Sequence, residues 1–223
     1  MIKQCIWNMK AVINEAFPDI AIEESWVNIC NNVEKIRPLV RSTVVSRKKP
    51  IAGRIKLNTD GSFYKDTNKA GIAGVVRNER GDFIMTYSVP VHSQSNNQTE
   101  ALAVKFGVQW CMQQQFTLLD IELDSLVISN MLINKDTNNL KLKHIVSGIV
   151  NHLTGIQYAI SHCYRETNQT ADHLAKMAST SGTRTLYHSL KELHREAKGL
   201  LQLDKWQTPT FRRRYEKCNF FVS

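Results

Sequence analysis

Four acidic residues stand out because each lies at or near the end of a strand or the start of a helix that the sequence pattern predicts. They are Asp60, Glu100, Asp124 and Asp172. Each taken alone has an ordinary structural interpretation. Asp60 could be a turn residue, and Glu100 could be the acid of a capping box. Asp124 could cap a helix, and Asp172 could be favoured by a helix dipole. Taken together they favour chemistry, because a sheet-based fold can bring strand ends and helix starts side by side.

A cluster of carboxylates requires a counter-charge, because like charges at close range raise one another's pKa values. Mg²⁺ prefers hard oxygen ligands, with one or two carboxylates per ion completed by water and phosphate. Two such ions about 4 Å apart can activate a water molecule and stabilise the leaving oxygen of a phosphodiester. The four acids therefore predict a metal-dependent site for phosphodiester cleavage.

The pattern of apolar residues predicts the elements that must position these acids. Alternating, strand-like runs occur at 55–59, 70–77, 82–89, 118–123 and 157–164. Helical periodicity occurs at 96–111, 125–133, 140–153 and 168–179, and the first of these helices is predicted to be capped by Asn96 or Asn97. Three consecutive strands followed by strand–helix units predict an α/β fold with a mixed five-stranded sheet, flanked by helices.

The chain of 223 residues divides into three segments by composition. Residues 1–53 combine helical periodicity at 2–17 and 22–36 with a basic, proline-containing linker, which predicts a helical extension. Residues 54–180 carry the α/β pattern, and residues 181–223 form a basic C-terminal tail.

The net charge of +9 is concentrated in the two flanks. The three segments carry +3, +1 and +5, and the triplets Arg47–Lys49 and Arg212–Arg214 account for much of the excess. Clustered cations are typical of proteins that bind a phosphate backbone. A solvated face or a localisation signal is the ordinary explanation for either triplet alone.

The sequence predicts an intracellular protein, in the nucleus or the cytoplasm, that is neither secreted nor bound to a membrane. No stretch approaches the roughly 20 apolar residues that a membrane span requires, and the first twenty residues contain Lys3, Lys10 and Glu15 instead of a compact apolar block. The five cysteines are scattered without zinc-ligand spacing, so we expect reduced thiols. They are Cys5, Cys30, Cys111, Cys163 and Cys218.

Four segments resemble, in order, the four signature blocks of type 1 ribonuclease H. They are Leu57–Ser62, Asn96–Ala101, Glu122–Ser125 and Arg165–Ala175, and the four acids within them are 40, 24 and 48 residues apart. The sequence is most similar to plant reverse-transcriptase-like ribonuclease H domains, which occur in non-LTR retroelements and as stand-alone genes. The resemblance covers roughly 54–180, and Leu203–Trp206 resembles the tails of those plant proteins less specifically.

The resemblance implies an endonuclease that hydrolyses the RNA strand of RNA–DNA hybrids by a two-metal-ion mechanism. It implies Mg²⁺, or Mn²⁺, with two ions present when substrate is bound, and it is compatible with a monomer. In this family, Asp60 would bridge both ions, Glu100 and Asp124 would complete one site, and Asp172 would help to hold the second ion.

The same resemblance assigns substrate contacts. Gly61 and Ser62 would bring the backbone close to the RNA, whose 2′-hydroxyls distinguish it from DNA. Asn96 and Asn97 would contact the substrate strand, and Arg165 would contact a phosphate.

At two positions, the resemblance to the family leaves the role of the residue open or the family's usual residue is replaced. His162 lies ten residues before Asp172, where bacterial members carry a mobile catalytic histidine. It would either assist product release or have a structural role at a strand end. Leu126 stands where a glutamine often follows the Asp-Ser pair, which predicts the loss of one substrate hydrogen bond.

Two other functions compete with the nuclease. A catalytically silent nucleic-acid-binding or adaptor domain derived from a retroelement would use the same basic flanks, but an intact set of four acids favours the enzyme. An actin-like ATPase also begins with a strand and an Asp-Gly pair, but it requires a second glycine-rich phosphate loop. The ten glycines of this chain do not form one.

Overall fold

The computed structural model describes residues 39–216, together with positions 7, 10, 11, 15 and 27. The helices that the sequence predicts at 2–17 and 22–36 lie almost entirely outside the described residues. The chain divides into two compact units, one of residues 44–211 and the other of residues 1–43 with 212–223. The segment boundaries that the sequence predicts after residues 53 and 180 stay predictions, and the tail through Phe211 shares the unit of the sheet.

Eight strands are present within the described residues. They are β1 (Leu39–Val45), β2 (Ile55–Tyr64), β3 (Lys69–Arg77), β4 (Phe83–Val91), β5 (Leu118–Leu123), β6 (Gln157–His162), β7 (Thr185–Tyr187) and β8 (Thr210–Glu216). β1 and β8 form a two-stranded sheet, and the other six form one sheet in the order β6-β5-β2-β3-β4-β7.

The six-stranded sheet is mixed, which confirms the predicted fold class. β2, β3 and β4 pair antiparallel, whereas β5 pairs parallel with both β2 and β6. The sixth strand, β7, was not predicted. It is three residues long and pairs antiparallel with β4, so it is too short to show a period of two in the sequence.

Five helices flank the sheet within the described residues. They are α1 (Asn96–Gln113), α2 (Leu126–Ile133), α3 (Leu140–His152), α4 (Gln169–Ser181) and α5 (Arg195–Lys205). None of them is long and apolar enough to span a bilayer.

Two hydrophobic cores lie against the sheet because successive side chains of a strand point to opposite faces. On β3, Ile72 and Val76 join the core that includes residues of α1, α2 and α3. Ala73 and Val75, between them in sequence, join a second core with residues of α4 and α5. The sheet is therefore covered on both faces, and its parallel strand ends remain available for a site.

Two of the cysteines lie within the described residues, and both are free thiols, as the sequence predicts. Cys111 is buried in α1, and Cys163 is half-buried just after β6. Burial raises the pKa of each thiol to about 12.

Candidate active site

Asp60 lies inside β2 rather than at the end of the strand, so the predicted turn at Asp60-Gly61 is wrong. Asp60 pairs with Ala73 of β3, and the ladder continues to Tyr64. The turn forms instead at residues 65–68, where Asn68 has a φ of +51°. Ladder hydrogen bonds to β3 override the local turn preference of the Asp-Gly pair. The Asp60 side chain is consequently held on a rigid strand, and it is 4% exposed.

Glu100 lies in the first two turns of α1, and its side chain does not cap the helix. Ser95 is the N-cap, and its hydroxyl accepts a hydrogen bond from the Gln98 amide at 3.3 Å. The side-chain oxygen of Gln98 in turn accepts a hydrogen bond from the backbone N–H of Gln94 at 2.9 Å. Both the predicted capping at Asn96 or Asn97 and the capping-box interpretation of Glu100 are therefore wrong. The Glu100 carboxylate is free to face the site.

The close approach of α1 to β2 depends on Gly61. A Cβ atom at this position would lie 2.6 Å from the backbone nitrogen of Glu100, so only glycine fits without a shift. The Gly61 amide donates a hydrogen bond to the Glu100 carboxylate, which favours the ionised form of that side chain. Gly61 thus brings Glu100 next to Asp60.

Asp124 follows the last residue of β5, beside β2. The parallel register pairs Leu123 with Thr59, so Asp124 and Asp60 each follow one of two paired residues. Ser125 is the N-cap of α2, which excludes capping as the role of Asp124. One carboxylate oxygen from each of Asp60, Glu100 and Asp124 can be chosen so that all three atoms lie within 4.8 Å of one another.

The three carboxyl groups resist ionisation in the absence of a counter-charge. Burial raises the pKa of Asp60 to about 10, and the charges of Glu100 and Asp124 add to the shift. Burial and the charge of Asp124 raise the pKa of Glu100 well above its ordinary value. Burial also raises the pKa of Asp124. Such shifts at clustered carboxyl groups are typical of functional sites.

Asp172 lines the same cleft, but it is not one of the three acids that lie within 4.8 Å of one another. It lies in the first turn of α4, where Arg165 donates to one of its oxygens at 2.9 Å and Lys176 to the other at 2.6 Å. Although partial burial opposes it, these hydrogen bonds lower the pKa of Asp172 below its ordinary value. Asp172 is therefore ionised and paired with two cations, unlike Asp60, Glu100 and Asp124.

The substrate-binding residues that the resemblance implies all border one cleft of about 510 Å³. Its lining includes the four acids together with Gly61, Ser62, Asn96, Asn97 and Arg165. The structure brings these residues together, and their roles in binding stay predictions.

His162 is the last residue of β6, where the sequence places a longer strand through Tyr164. Its side chain is exposed, and its Nε2 atom lies 3.1 Å from the carbonyl oxygen of Asp124. It lies beside the acidic cluster without lining the cleft, so neither of its two predicted roles is excluded.

Several residues of the site were missed by sequence reasoning. Lys176 lies four residues after Asp172 on α4, a helical spacing that could have identified it. Ser125, Phe63 and Tyr64 also line the cleft.

Arg47, predicted to form part of a basic surface cluster, is 6% exposed and forms an ion pair with Asp204. No local pattern signals that pair, because its members are 157 residues apart.

The donors present fit a hard divalent cation. The Oε2 atom of Glu100 is buried and has no hydrogen-bond partner within the described part of the chain. An orphaned carboxylate oxygen is costly unless a proton or a cation compensates for it. The cluster contains carboxylate oxygens and neither histidine nor cysteine, which is a ligand set suited to Mg²⁺ or Mn²⁺.

Known proteins resemble this chain both in sequence and in fold. The sequence profile of the family described as reverse transcriptase-like matches residues 58–178, more than half of the chain. A candidate ribonuclease H protein of Arabidopsis thaliana is 29% identical over 134 residues, which cover 58% of this chain and 21% of that protein. The matched region thus spans about a fifth of the length of that relative.

Solved structures of ribonucleases H share the fold. Ribonuclease H1 from the halophilic archaeon Halobacterium salinarum is 26% identical and superposes with a TM-score of 0.53, covering 56% of this chain and 96% of that chain. A ribonuclease H1 isolated from compost, solved in complex with an RNA/DNA hybrid, is 22% identical with a TM-score of 0.52. It covers 57% of this chain and 98% of that chain. At this identity the second likeness concerns the fold alone.

Proposed function

The chain belongs to the reverse transcriptase-like family, and from this membership we propose that it is an endonuclease that hydrolyses the RNA strand of RNA–DNA hybrids. The observation that carries the proposal is the group formed by buried Asp60 with half-buried Glu100 and Asp124, which has one oxygen of each within 4.8 Å of the others. The ribonuclease H fold and the cleft around this group support the same activity. We assign the enzyme to type 1 because of the order of its four acidic blocks.

Asp60, Glu100 and Asp124 would hold a divalent cation, Mg²⁺ or Mn²⁺, and Asp172 would contribute to a second ion when substrate is bound. When bound there, such ions supply an activated water molecule and stabilise charge on the leaving oxygen. The raised pKa values of the three acids support this assignment, because a cation would stabilise the ionised carboxylates. Asp172 would have to loosen its bonds to Arg165 and Lys176 to take part.

The substrate would be oriented by residues on the two sides of the acids. The backbone at Gly61 and Ser62 borders the cleft and can approach the ribose 2′-hydroxyls, while Asn96 and Asn97 offer side-chain amides to the strand. The Arg165 side chain is 70% exposed, so it can contact a phosphate while one of its nitrogens still holds Asp172.

His162 would assist product release. Its Nε2 atom lies 3.1 Å from the carbonyl oxygen of Asp124, which places an exposed imidazole beside the acidic cluster without blocking the cleft. An exposed imidazole at this place can exchange hydrogen bonds with a departing phosphate.

A second function, a catalytically silent binding or adaptor domain, is favoured by one observation. Asp172 is engaged by two cations, Arg165 and Lys176, and the three remaining acids can hold one ion without it. If Asp172 kept these partners in the presence of substrate, hybrid binding would persist without efficient cleavage.

Further properties follow as proposals. We propose that the protein acts as a monomer in the nucleus or the cytoplasm, with an RNA–DNA hybrid as its partner. The Arabidopsis relative supports a plant origin, and membership of the reverse transcriptase-like family supports derivation from a retroelement. The activity of the longer relative as a whole is not transferred to this chain.

The test compares three end-labelled duplexes of one sequence: an RNA–DNA hybrid, a double-stranded RNA and a double-stranded DNA. Each is incubated with the protein in Mg²⁺, in Mn²⁺ and in excess chelator. We expect cleavage of the RNA strand of the hybrid alone, only with metal, leaving 5′-phosphate and 3′-hydroxyl ends. Undiminished cleavage in chelator would refute the metal-dependent mechanism. Hybrid binding without cleavage would favour the adaptor.

A further inference from the structure

Asp204, near the end of α5, is the centre of a buried ionic cluster. Its Oδ2 atom accepts hydrogen bonds from Arg77 at 2.8 Å, from the Thr170 hydroxyl at 2.7 Å and from Arg47. The Arg47 and Arg77 side chains are 5% and 4% exposed, and that of Asp204 is 14% exposed. Buried charges of this kind must be paired, so these contacts define a fixed arrangement.

The cluster supports the segment that carries Arg165 and Asp172. Arg47 also donates to the carbonyl oxygen of Thr167, in the short turn between β6 and α4. Thr170, bonded to Asp204, lies two residues before Asp172 in the first turn of α4. The segment of residues 165–172 is thereby held by groups from the linker and from α5.

The opposite side of the same segment is attached to the strand that carries Asp60. Asn168, the residue before α4, is fully buried and donates through Nδ2 to the carbonyl oxygen of Thr59 at 2.9 Å. Residues 165–172 therefore lie between two sets of contacts, with the acidic cluster on one side and Asp204 on the other.

A second branch of the cluster reaches the strands β2 and β5. Arg77 contacts the Asn58 side-chain oxygen at 3.3 Å, and the Asn58 amide donates to Glu122 at 3.1 Å. Asn58 and Glu122 each lie two residues before an acid of the site, Asp60 and Asp124 respectively. The ionic cluster thus contacts the supports of three of the four acids.

Two members of the cluster lie outside the region that the family profile matches. The match covers residues 58–178, which excludes Arg47 and Asp204. We propose that Arg47 and Asp204 are positioning residues of the active site, which lock the segment of residues 165–172 so that Arg165 and Asp172 face the cleft. The proposal rests on the proposed function, and it extends the catalytic unit to α5.

The Asp204 carboxylate stabilises this arrangement because it compensates the charges of two buried guanidinium groups. Burial and the like charge of Arg47 lower the pKa of Arg77 to about 9, and the charge of Asp204 opposes that effect. Without the carboxylate, two buried guanidinium groups would face each other without a shared partner. The linker and α5 would then separate from the segment that they support.

The experiment uses the full chain with Asp204→Asn and two milder variants of the same contact, Thr170→Val and Thr170→Ser. Lys205→Gln is the matched control, because it removes a charge from the next residue of α5, whose exposed ion pair with Asp82 does not involve residues 165–172. Two readouts are compared: amide hydrogen exchange in peptides that cover 165–172, and kcat and KM for cleavage of a labelled hybrid.

We expect Asp204→Asn to accelerate exchange in 165–172 and to lower kcat by roughly 10- to 100-fold, as a displaced catalytic group would, with a smaller rise in KM from the displaced Arg165. Thr170→Val should shift amide exchange and kcat in the same direction as Asp204→Asn, but by a smaller amount. Thr170→Ser, which keeps the hydroxyl, should give wild-type values of both. Lys205→Gln should also leave both at their wild-type values. If Asp204→Asn does not fold, the valine and serine pair at Thr170 decides the question.

The outcomes separate this inference from the proposed function. Unchanged exchange in 165–172, or a wild-type kcat in both Asp204→Asn and Thr170→Val, would overturn the positioning role. A wild type that never cuts the hybrid would refute the proposed function and the catalytic positioning with it. Faster exchange in Asp204→Asn would in that case still show that α5 restrains the segment.

Discussion

Replacing Gly61 with alanine tests whether the cleavage rate depends on the distances between the acids. The substitution adds one methyl group and changes no charged side chain. An alanine Cβ at Gly61 would lie 2.6 Å from the Glu100 nitrogen and from the Thr99 carbonyl carbon. These are backbone atoms, so the clash cannot be relieved by rotating a flexible side chain. The start of α1 must move away from β2, and Glu100 must move with it.

The size of the effect follows from that contact. Ordinary contact begins near 3.4 Å, so α1 must shift by about 0.8 Å. Overpacking of this kind costs about 1–3 kcal/mol of the free energy of unfolding, and each kcal/mol lowers Tm by about 2–4 °C in a domain of this size. A displacement approaching 1 Å at a catalytic group lowers the rate by up to about 100-fold. We therefore expect a folded protein with kcat reduced roughly 10- to 100-fold.

The assay measures hybrid cleavage and thermal unfolding for Gly61→Ala and two controls. Gly199→Ala makes the same substitution in α5, where, apart from the neighbouring residues and the backbone of its own helix, the added Cβ would meet no heavy atom of the described residues within 4 Å. It should leave cleavage unchanged and raise the free energy of unfolding by up to about 1 kcal/mol. Leu142→Ala removes a buried side chain of α3 and should cost about 2–5 kcal/mol without moving the acids.

The comparison with Leu142→Ala distinguishes a geometric effect from simple loss of stability. At a temperature where all the variants are folded, only Gly61→Ala should lose activity. Full activity in Gly61→Ala, or an equal loss in Leu142→Ala, would refute the reasoning that the spacing between β2 and α1 sets the site.

Three further predictions concern stability and reactivity. Because burial and the neighbouring carboxylates raise the pKa of Asp60 from 3.8 to about 10, the metal-free folded state holds a proton that the unfolded state releases, so its free energy of unfolding should fall as the pH rises through the neutral range. Mg²⁺ should reduce this dependence, and thermal unfolding at neutral and alkaline pH, with and without Mg²⁺, measures it. Tyr87→Phe should lower the free energy of unfolding in urea by about 1 kcal/mol, because the buried Tyr87 hydroxyl donates to the Ala103 carbonyl oxygen at 2.6 Å. Cys163, with its pKa raised to about 12, should react much more slowly with iodoacetamide at neutral pH in the folded protein than in the unfolded one; equal rates would contradict its burial.

The sequence predicts the fold class correctly because the main elements carry strong periodic signals. β5 alternates buried and partly buried residues, and α4 and α3 show clear apolar faces. The order of the elements then limits the possible sheets. The three-residue strand β7 has no such signal, since its place depends on pairing with β4.

The candidate site was partly predictable because the main elements that position its acids carry strong periodic signals. Asp60, Glu100 and Asp124 were identified from their places relative to predicted elements, and the structure groups them. Local rules failed where tertiary contacts decide: the β3 ladder carries β2 past Asp60, and Ser95 caps α1 instead of the asparagines that follow it. Catalytic roles for these residues stay predictions.

The ionic cluster at Asp204 could not be predicted from the sequence. Its contacts join residues that are 157, 127 and 34 positions apart, so no periodicity or local motif relates them. A basic triplet containing Arg47 instead indicated a surface patch, whereas the structure buries Arg47. Long-range ion pairs of this kind follow only from the completed fold.

The most direct test of the central claim is the paired measurement of cleavage rate and Tm for the wild type and Asp60→Asn, each with and without Mg²⁺. Asparagine is nearly isosteric and is uncharged without having to hold the proton that the metal-free folded state keeps on Asp60, so Tm without metal at neutral pH should not fall and should rise. The cleavage rate should fall by several orders of magnitude, because the metal-dependent activation of water depends on this carboxylate. The increase of Tm on adding Mg²⁺ should also be smaller than in the wild type. An Asp60→Asn protein that cuts the hybrid at the wild-type rate would contradict the account.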